Sequence, residues 1–414
     1  MPIGPHLPRL LALLLIGPTA AVMAWEIRGE VSGQTYYFPY QPLFTEQVGQ
    51  DLSVAARPEL FHALNQSWSL TFTPFYRHDS VDSERTHADI RQLNLRWVQP
   101  SFELDAGINK VFWGVTESQH LVDIINQTDA VESMDGEEKL GQPMLRLTVP
   151  KGDGTTDLFV LPYFRERAFL GQESRLRFAL PIDEDKVTYQ SGAEEQHIDV
   201  ALRHIRTIAN WELGLSYFAG TSRDPRFNPV FSGSPPTLSL APYYPQIQQA
   251  GLDLQYNWGN LLCKLETIHR SGQLNLRNET EDYIAFTAGF EYTLYSLAST
   301  AADLGIIGEA LHDSRGDGAL TPYEEDLAFG FRLGLNDLRS TEILAFVVQD
   351  LDSPARVLVL ESSVRLGERF KLSIEGTAFA EQPRLNSFLD LSNDALLTDF
   401  RTDDHLVLNL SYYL

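Results

Sequence analysis

The last eleven residues, D-H-L-V-L-N-L-S-Y-Y-L from Asp404 to Leu414, constrain the fold more than any other stretch. Leu406, Leu408, Leu410, Tyr412 and Leu414 share one parity, and Val407, Asn409, Ser411 and Tyr413 share the other. Successive strand side chains point to opposite faces, so this is a strand with one wholly apolar face. Such a face is either buried in a core or turned to lipid. In lipid no backbone group can be left unpaired, so the last strand has to pair with the first and close the sheet.

The rest of the chain supplies strands for that sheet. Strand-length segments of dyad alternation run through it. They are Glu26–Phe38, Asp51–Ala63, Gln66–His78, Ala88–Val98, Ser101–Phe112, Pro143–Val149, Asp157–Arg165, His197–Arg206, Trp211–Thr221, Gln248–Trp258, Leu261–Ser271, Glu281–Leu294, Asp303–Asp313, Asp326–Asn336, Thr341–Leu351, Arg356–Leu366, Arg369–Ala380 and Asp404–Tyr413. That makes eighteen strands, or sixteen if the weakest of the second, sixth and seventh segments drop out. Asp326–Asn336 shows the pattern most plainly: Leu327, Phe329, Phe331, Leu333 and Leu335 on one face, Ala328, Gly330, Arg332, Gly334 and Asn336 on the other. A soluble sandwich seldom puts five large apolar residues on one strand face without a break. Trp68, Trp97, Trp211 and Trp258 fall near segment ends, where interfacial aromatic girdles belong.

The connections alternate in length. Short ones include Leu64-Asn65, Gln99-Pro100, Gly259-Asn260 and Gly367-Glu368; long ones include Trp113–Gln142, Glu166–Gln196, Ser222–Ile247 and Glu381–Asp403. With both termini on the periplasmic side, the short turns all fall periplasmic and the long loops fall outside, Asp352–Ala355 being a short loop on the outer side. The expected fold class is therefore all-β: a single antiparallel up-and-down transmembrane β-barrel over residues 25–414. Residues 1–24 read as a secretory signal, with Arg9, the apolar run Leu10–Ile16 and the small-residue site Val22-Met23-Ala24.

Composition narrows the function. A net charge of −24 argues against a nucleic-acid partner. The single Cys263, on the lipid-facing parity with Leu261 and Leu265, excludes an internal disulfide and a multi-cysteine metal site. Inward parity collects eight cations (Arg96, Arg146, Arg203, Lys264, Arg270, Arg332, Arg365, Lys371) and eight acids (Glu103, Asp105, Asp199, Glu212, Asp253, Glu266, Glu361, Glu375). Of these, Arg96, Arg146, Arg203, Arg332, Arg365, Lys371, Glu212 and Glu375 are the expected pore-lining set. The balanced count gives the wall no strong preference for either sign of ion.

The loop Trp113–Gln142 is unlike the others. Thr116 can cap a short helix, and Leu121, Ile124 and Ile125 have helical spacing. A loop with an apolar face beside the rim can fold into the lumen, which makes Glu117, His120, Asp123, Asn126 and Asp129 the expected lining of a constriction. The alternative is a loop packed on the rim. Asp313, Asp317, Gly318 and Glu324 match part of a calcium loop, but Arg315 stands at a ligand position, and we read the stretch as a polar turn. The histidines are scattered, so no zinc site and no cofactor is expected. Ser118 with His120, or Asp79 with His78, lacks a nucleophile context, and no enzyme activity is expected.

With these features in view, the chain resembles the porin-like outer-membrane β-barrel proteins of Gram-negative bacteria. The resemblance covers nearly all of residues 25–414 in architecture. It includes the C-terminal assembly signal, carried by Leu408, Leu410, Tyr412 and Leu414, where most such proteins end in Phe or Trp. Lys110–Gly114 with Leu121–Asn126, and Thr321–Asp326, look like stretches of members to which no solute is attached. The resemblance implies location in the cell outer membrane, contact with outer-membrane lipid and lipopolysaccharide, and recognition of the last strand by the barrel-assembly machinery. It implies a channel for small solutes, with 113–142 as the constriction. A non-conducting structural or surface-interaction barrel and a barrel hydrolase are the other two readings.

Overall fold

The computed structural model describes residues 25–232, 236–384 and 392–414. The expected leader, Met1–Ala24, lies outside the described residues. In chain order the strands are β1 (Glu26–Tyr37), β2 (Gln50–Ala63), β3 (Trp68–Asp79), β4 (His87–Gln99), β5 (Phe102–Asn109), β6 (Gln142–Lys151), β7 (Gly154–Leu161), β8 (Thr188–Tyr189), β9 (Asp199–Ile208), β10 (Trp211–Thr221), β11 (Arg226–Ser232), β12 (Thr237–Tyr244), β13 (Gln246–Trp258), β14 (Leu261–Leu274), β15 (Thr280–Leu294), β16 (Asp303–Asp313), β17 (Glu325–Gly334), β18 (Glu342–Asp350), β19 (Arg356–Leu366), β20 (Phe370–Ala380) and β21 (His405–Tyr413).

Eighteen of them form one antiparallel sheet in which each strand pairs with its neighbours in the chain. The last strand closes it: β21 pairs with β20 on one side and β1 on the other, Ser32 opposite Ser411 and Tyr36 opposite Val407. Closure leaves no open edge, which is the condition hydrocarbon imposes. All eighteen expected segments are barrel strands. Two are displaced: the fifth stops at Asn109, where loop 110–141 turns inward, and the seventh is Gly154–Leu161 because the turn before it is only two residues long. The remaining three strands, β8, β11 and β12, make a small separate sheet within the outer loops, too short to stand out in the sequence.

Alternation sorts the side chains as expected. On β17, Phe329 is 61% exposed on the outer face while its neighbour Ala328 is 5% exposed inside. Aromatic pairs stack across strands near the short turns, Trp68 on Trp97 with ring centroids 5.3 Å apart and Trp211 on Tyr256 at 4.3 Å. One irregularity matters for the interior. Thr73 opposes Gln92 but Pro74 opposes Ile90, so Arg91 is an extra residue on β4. Such a bulge re-aims a side chain, and here the buried Arg91 reaches the lumen loop.

Candidate functional site

The connection 110–141 folds into the barrel. Trp113, Val122, Ile124 and Ile125 pack against inward residues of one side of the wall, among them Met144, Phe159, Phe218, Ile247, Ile268 and Tyr283. Burying each of Val122, Ile124 and Ile125 is worth roughly 1.5–3 kcal/mol. Gly251 on β13 makes room: a Cβ there would meet Val122 Cγ1 at 3.2 Å and Ser216 Oγ at 2.5 Å.

Wall carboxylates hold the backbone of the loop. Glu266 of β14 accepts the N–H groups of Val115 (2.6 Å), Thr116 (3.0 Å) and Val122 (3.2 Å) and the Thr116 hydroxyl (2.7 Å). Glu309 of β16 accepts those of Glu117 and Ser118, both at 2.8 Å, and the Ser118 hydroxyl. The expected helix is absent among the described residues of 110–141. These carboxylates satisfy the N–H groups that a helical turn would have used, and Thr116 serves as an anchor rather than a cap.

The later part of the loop is held by arginines, Arg77 and Arg91 from the wall and Arg85 and Arg223 from the connections that follow β3 and β10. Arg77 makes a two-pronged contact to Glu132, both bonds at 2.7 Å. Arg91 pairs with Asp129, and the Arg85 side chain donates to Val131 O at 2.9 Å. Arg223, lying 5.1 Å from the Phe218 ring, donates to Ile125 O and pairs with Asp199 at 2.8 Å. The stretch 127–140 is a hairpin-like excursion closed by Leu140 N–H to Gln127 O and Asp129 N–H to Glu138 O. Asp135 and Glu137 are exposed at its tip.

Charge states outside the strands follow from these contacts. Burial pushes the Asp123 carboxyl up, against the pull of Lys139 and the Trp113 N–H. Burial also pushes Glu132 up, but Arg77, with Arg85 behind it, brings it below the usual glutamate value. For His120, burial lowers the imidazole, but the Glu266 carboxylate 3.7 Å away, with Asp123, outweighs it and leaves the group above the ordinary histidine value.

The loop occupies one side of the interior only. On the inward faces of β19 and β20, Glu361, Arg365 and Glu375 are exposed and Ser363, Ser373 and Lys371 are half-buried. The charges bearing most on Glu361 are Glu137, Glu375, Asp135 and Glu117, all acids. At the outer end, a small cleft lies between the outer loops and the lumen loop, lined by Tyr36, Asp51, Arg85, Glu132, Met134 and Arg175 among others.

Against solved structures, the chain is similar to Wzi, an outer membrane protein involved in group 1 capsule assembly in Escherichia coli and described as a carbohydrate-binding β-barrel. The TM-score is 0.52 at 11% identity, over 93% of this chain and 83% of that one. The fold is that of an outer-membrane β-barrel. A Rhodopseudomonas blastica porin mutant (TM-score 0.43, 11% identity, 94% of this chain and 100% of that one) and OmpT of Vibrio cholerae (0.44, 8%, 96% and 99%) align over similar lengths with lower scores. No family model and no curated protein matches the chain.

Within the barrel the expected site residues separate into groups. Arg96, Arg146 and Arg203 pair with Asp105 (2.8 Å), Asp157 (3.0 Å) and Asp253 (2.9 Å) on strands of the same wall, and Arg203 also lies 4.9 Å from the Trp113 ring. Arg332 meets Glu117. Arg365, Lys371 and Glu375 lie on the open side, and Glu212 is exposed near a short turn. Of the loop residues, Glu117 and His120 keep partial exposure, while Asp123, Asn126 and Asp129 are turned into the packing. Asn126 ties the loop's two ends together, donating to Asn109 O (2.9 Å) and Leu140 O (2.8 Å).

The sequence reading missed Arg77, Arg91, Arg223 and Glu309 as anchors. Glu309 shares parity with Ile307 and Leu311, a signal that was available. The bulge at Arg91 hides its own direction, whereas Arg77 shares parity with Thr73 and Asp79 on β3, a signal that was also available. In the turn 314–324, Arg315 pairs with Asp313 and lies 3.6 Å from the Tyr283 ring centroid. Among the described residues no group of three or more His, Cys, Asp or Glu side chains is placed to hold a metal.

Proposed function

We propose that the protein is a channel of the cell outer membrane, passing small solutes along β19 and β20, with loop 110–141 as its constriction. One observation carries the reading: the loop is seated on one side of the wall by its apolar residues, while Glu361, Arg365 and Glu375 on the other side stay exposed. Coupling of the wall cations to acids supports a preference among solutes. Arg77, Arg91, Arg203, Arg223 and Arg332 all have carboxylate partners, whereas on the open side four acids without a bonded cation among the described residues, Asp135, Glu137, Glu361 and Glu375, outnumber the two cations without a bonded acid, Arg365 and Lys371. In the water-poor narrows of such a passage, surplus acid favours cations.

Purified protein in planar bilayers tests this. The expected result is discrete conductance in KCl and a reversal potential of cation-selective sign under a salt gradient. A protein inserted in the bilayer that conducts no ions overturns the channel. In the same proposal, the outer face of the strands contacts lipid, lipopolysaccharide lies against the outer loops, and the last strand is what the barrel-assembly machinery recognises.

A second reading, a non-conducting surface-interaction barrel, is favoured by the small sheet of β8, β11 and β12, which gives the outer loops an ordered surface with Phe231 72% exposed at one tip. Silent bilayers together with retained barrel folding would favour it. No enzyme activity is proposed: the Ser118 hydroxyl is committed to Glu309, and His120 faces Glu266.

A further inference from the structure

The register between β19 and β20 sets like beside like. Glu361 is directly opposite Glu375, Ser363 opposite Ser373, and Arg365 opposite Lys371. All six point inward, because the residues between them, Leu360, Leu366, Phe370 and Ile374 among others, are the exposed outer set. Two adjacent strands thus present an acidic rung, a hydroxyl rung and a basic rung, in that order toward the short-turn end of the barrel.

Like charges directly opposite each other on a sheet are destabilising. Elsewhere the wall pairs Arg96 with Asp105 and Arg146 with Asp157 across strands, and where Asp253 faces Glu266 it supplies Arg203 and the loop N–H groups as partners. Sequence could have crossed the signs at these rungs in the same way, and it does not. No bonded counter-charge relieves either rung among the described residues, and the tip acids Asp135 and Glu137 add to the acidic one. The two charged rungs are four residues apart along each strand, or about 13 Å at the rise of a strand.

Resting on the channel reading above, we propose that β19 and β20 form a charge-sorted track selecting linear solutes with a cationic end and an anionic end roughly 10–14 Å apart. A short extended peptide has that form. Its chain spans about 3.3–3.6 Å per residue, so four residues reach from one rung to the other. The ammonium end meets Glu361 and Glu375, the carboxylate end meets Arg365 and Lys371, and Ser363 and Ser373 offer hydroxyls to the backbone between.

Liposomes carrying the whole protein test this by swelling in isotonic solute. The probes are tetra-alanine, tetra-alanine blocked at both ends by acetyl and amide groups, and arabinose as an uncharged reference. Tetra-alanine is expected to permeate roughly five- to tenfold faster than its blocked analogue, the scale of one screened charge contact at each end. The double variants E361Q/E375Q and R365Q/K371Q are each expected to bring the ratio of free to blocked tetra-alanine rates to about one, whatever their arabinose rate. A fourfold variant, E361K/E375K/R365E/K371E, reverses the track and is expected to restore the advantage, which a merely structural role would not do. Equal rates for free and blocked tetra-alanine, with arabinose still passing, would overturn the track and leave the channel standing. Absence of arabinose swelling as well would overturn the channel itself.

Discussion

Glu117, on the loop that enters the barrel, meets Arg332 of β17 with Oε1 and the guanidinium nitrogen 2.6 Å apart. The other carboxylate oxygen lies 3.7 Å from Lys264 of β14, and Lys264 and Arg332 also share Glu291 of β15. Four charges from three strands and the loop thus alternate in sign. Arg332 is 41% exposed, so solvent screens the pair and its share of stability is small, about 0.2–1 kcal/mol. Its effect on position is larger, because Val115, Thr116 and Ser118 beside it reach the wall only through uncharged N–H and hydroxyl donors. Glu117→Gln is expected to leave the unfolding midpoint in detergent nearly unchanged while increasing open-channel current noise. Quiet currents identical to those of the parent protein would refute this.

Glu266 is a different kind of contact. It is fully buried and accepts three backbone N–H groups and a hydroxyl. Removing its charge leaves buried donors without their acceptor, at a cost of about 1–3 kcal/mol. Glu266→Leu removes every acceptor at once and is expected to lie toward or above the top of that range. Urea unfolding in detergent micelles measures the loss. Amide exchange at Val115, Thr116 and Val122 locates it, since these three should lose protection while the strand amides of β14 keep theirs.

The loop's hold on the wall also has a pH dependence, through His120. Burial disfavours the imidazolium, but Glu266 outweighs it and sets the group above the ordinary histidine value. A histidine whose folded-state pKa is raised contributes stability that is fully present below its unfolded value, near 6.5, and lost as pH rises through the folded value. Other groups facing it are Asp123 and, at longer range, Glu137. Exchange of the 115–122 amides, corrected for intrinsic rates, should therefore accelerate as pH rises above about 6.5 in the parent protein. His120→Gln should flatten that change. A parent profile as flat as that of the variant would count against it.

Much of the architecture was legible because lipid imposes one rule on every strand. The outer face of β17 or β21 must be apolar at every second residue, so eighteen weak segments reinforce one another. The interior obeys no such rule. Parity sends Arg203 and Asp253 inward, but only register reveals that they cancel each other, and an equal count of the two signs conceals the uncancelled rungs at Glu361 and Arg365. The single extra residue at Arg91 inverts what parity says about its neighbours. Loop 110–141 misled for a related reason. Leu121, Ile124 and Ile125 have the spacing of a helix, yet the backbone donors of Val115 to Ser118, where its first turn would lie, are taken by carboxylates from β14 and β16, some 150 to 190 residues distant in the chain. No local pattern announces an acceptor that far away.

The two faces of β17 give the most direct test of the membrane reading. Phe329 is exposed on the outer face, and Arg332, on the inner parity, already places a guanidinium inside. A positive charge on the lipid face near the midplane costs about 2–4 kcal/mol, while a charge on the lumen face has water or a counter-ion available. Phe329→Arg should therefore lower stability in lipid bilayers by that amount, measured by reversible unfolding in urea. Ser373→Arg, on the exposed inner side of β20, should cost under about 1 kcal/mol by the same measure. In a soluble protein the order would reverse, because exchanging an exposed phenylalanine for arginine removes apolar surface from water. Finding the inner substitution the costlier of the two would contradict the assignment of these faces to lipid and lumen.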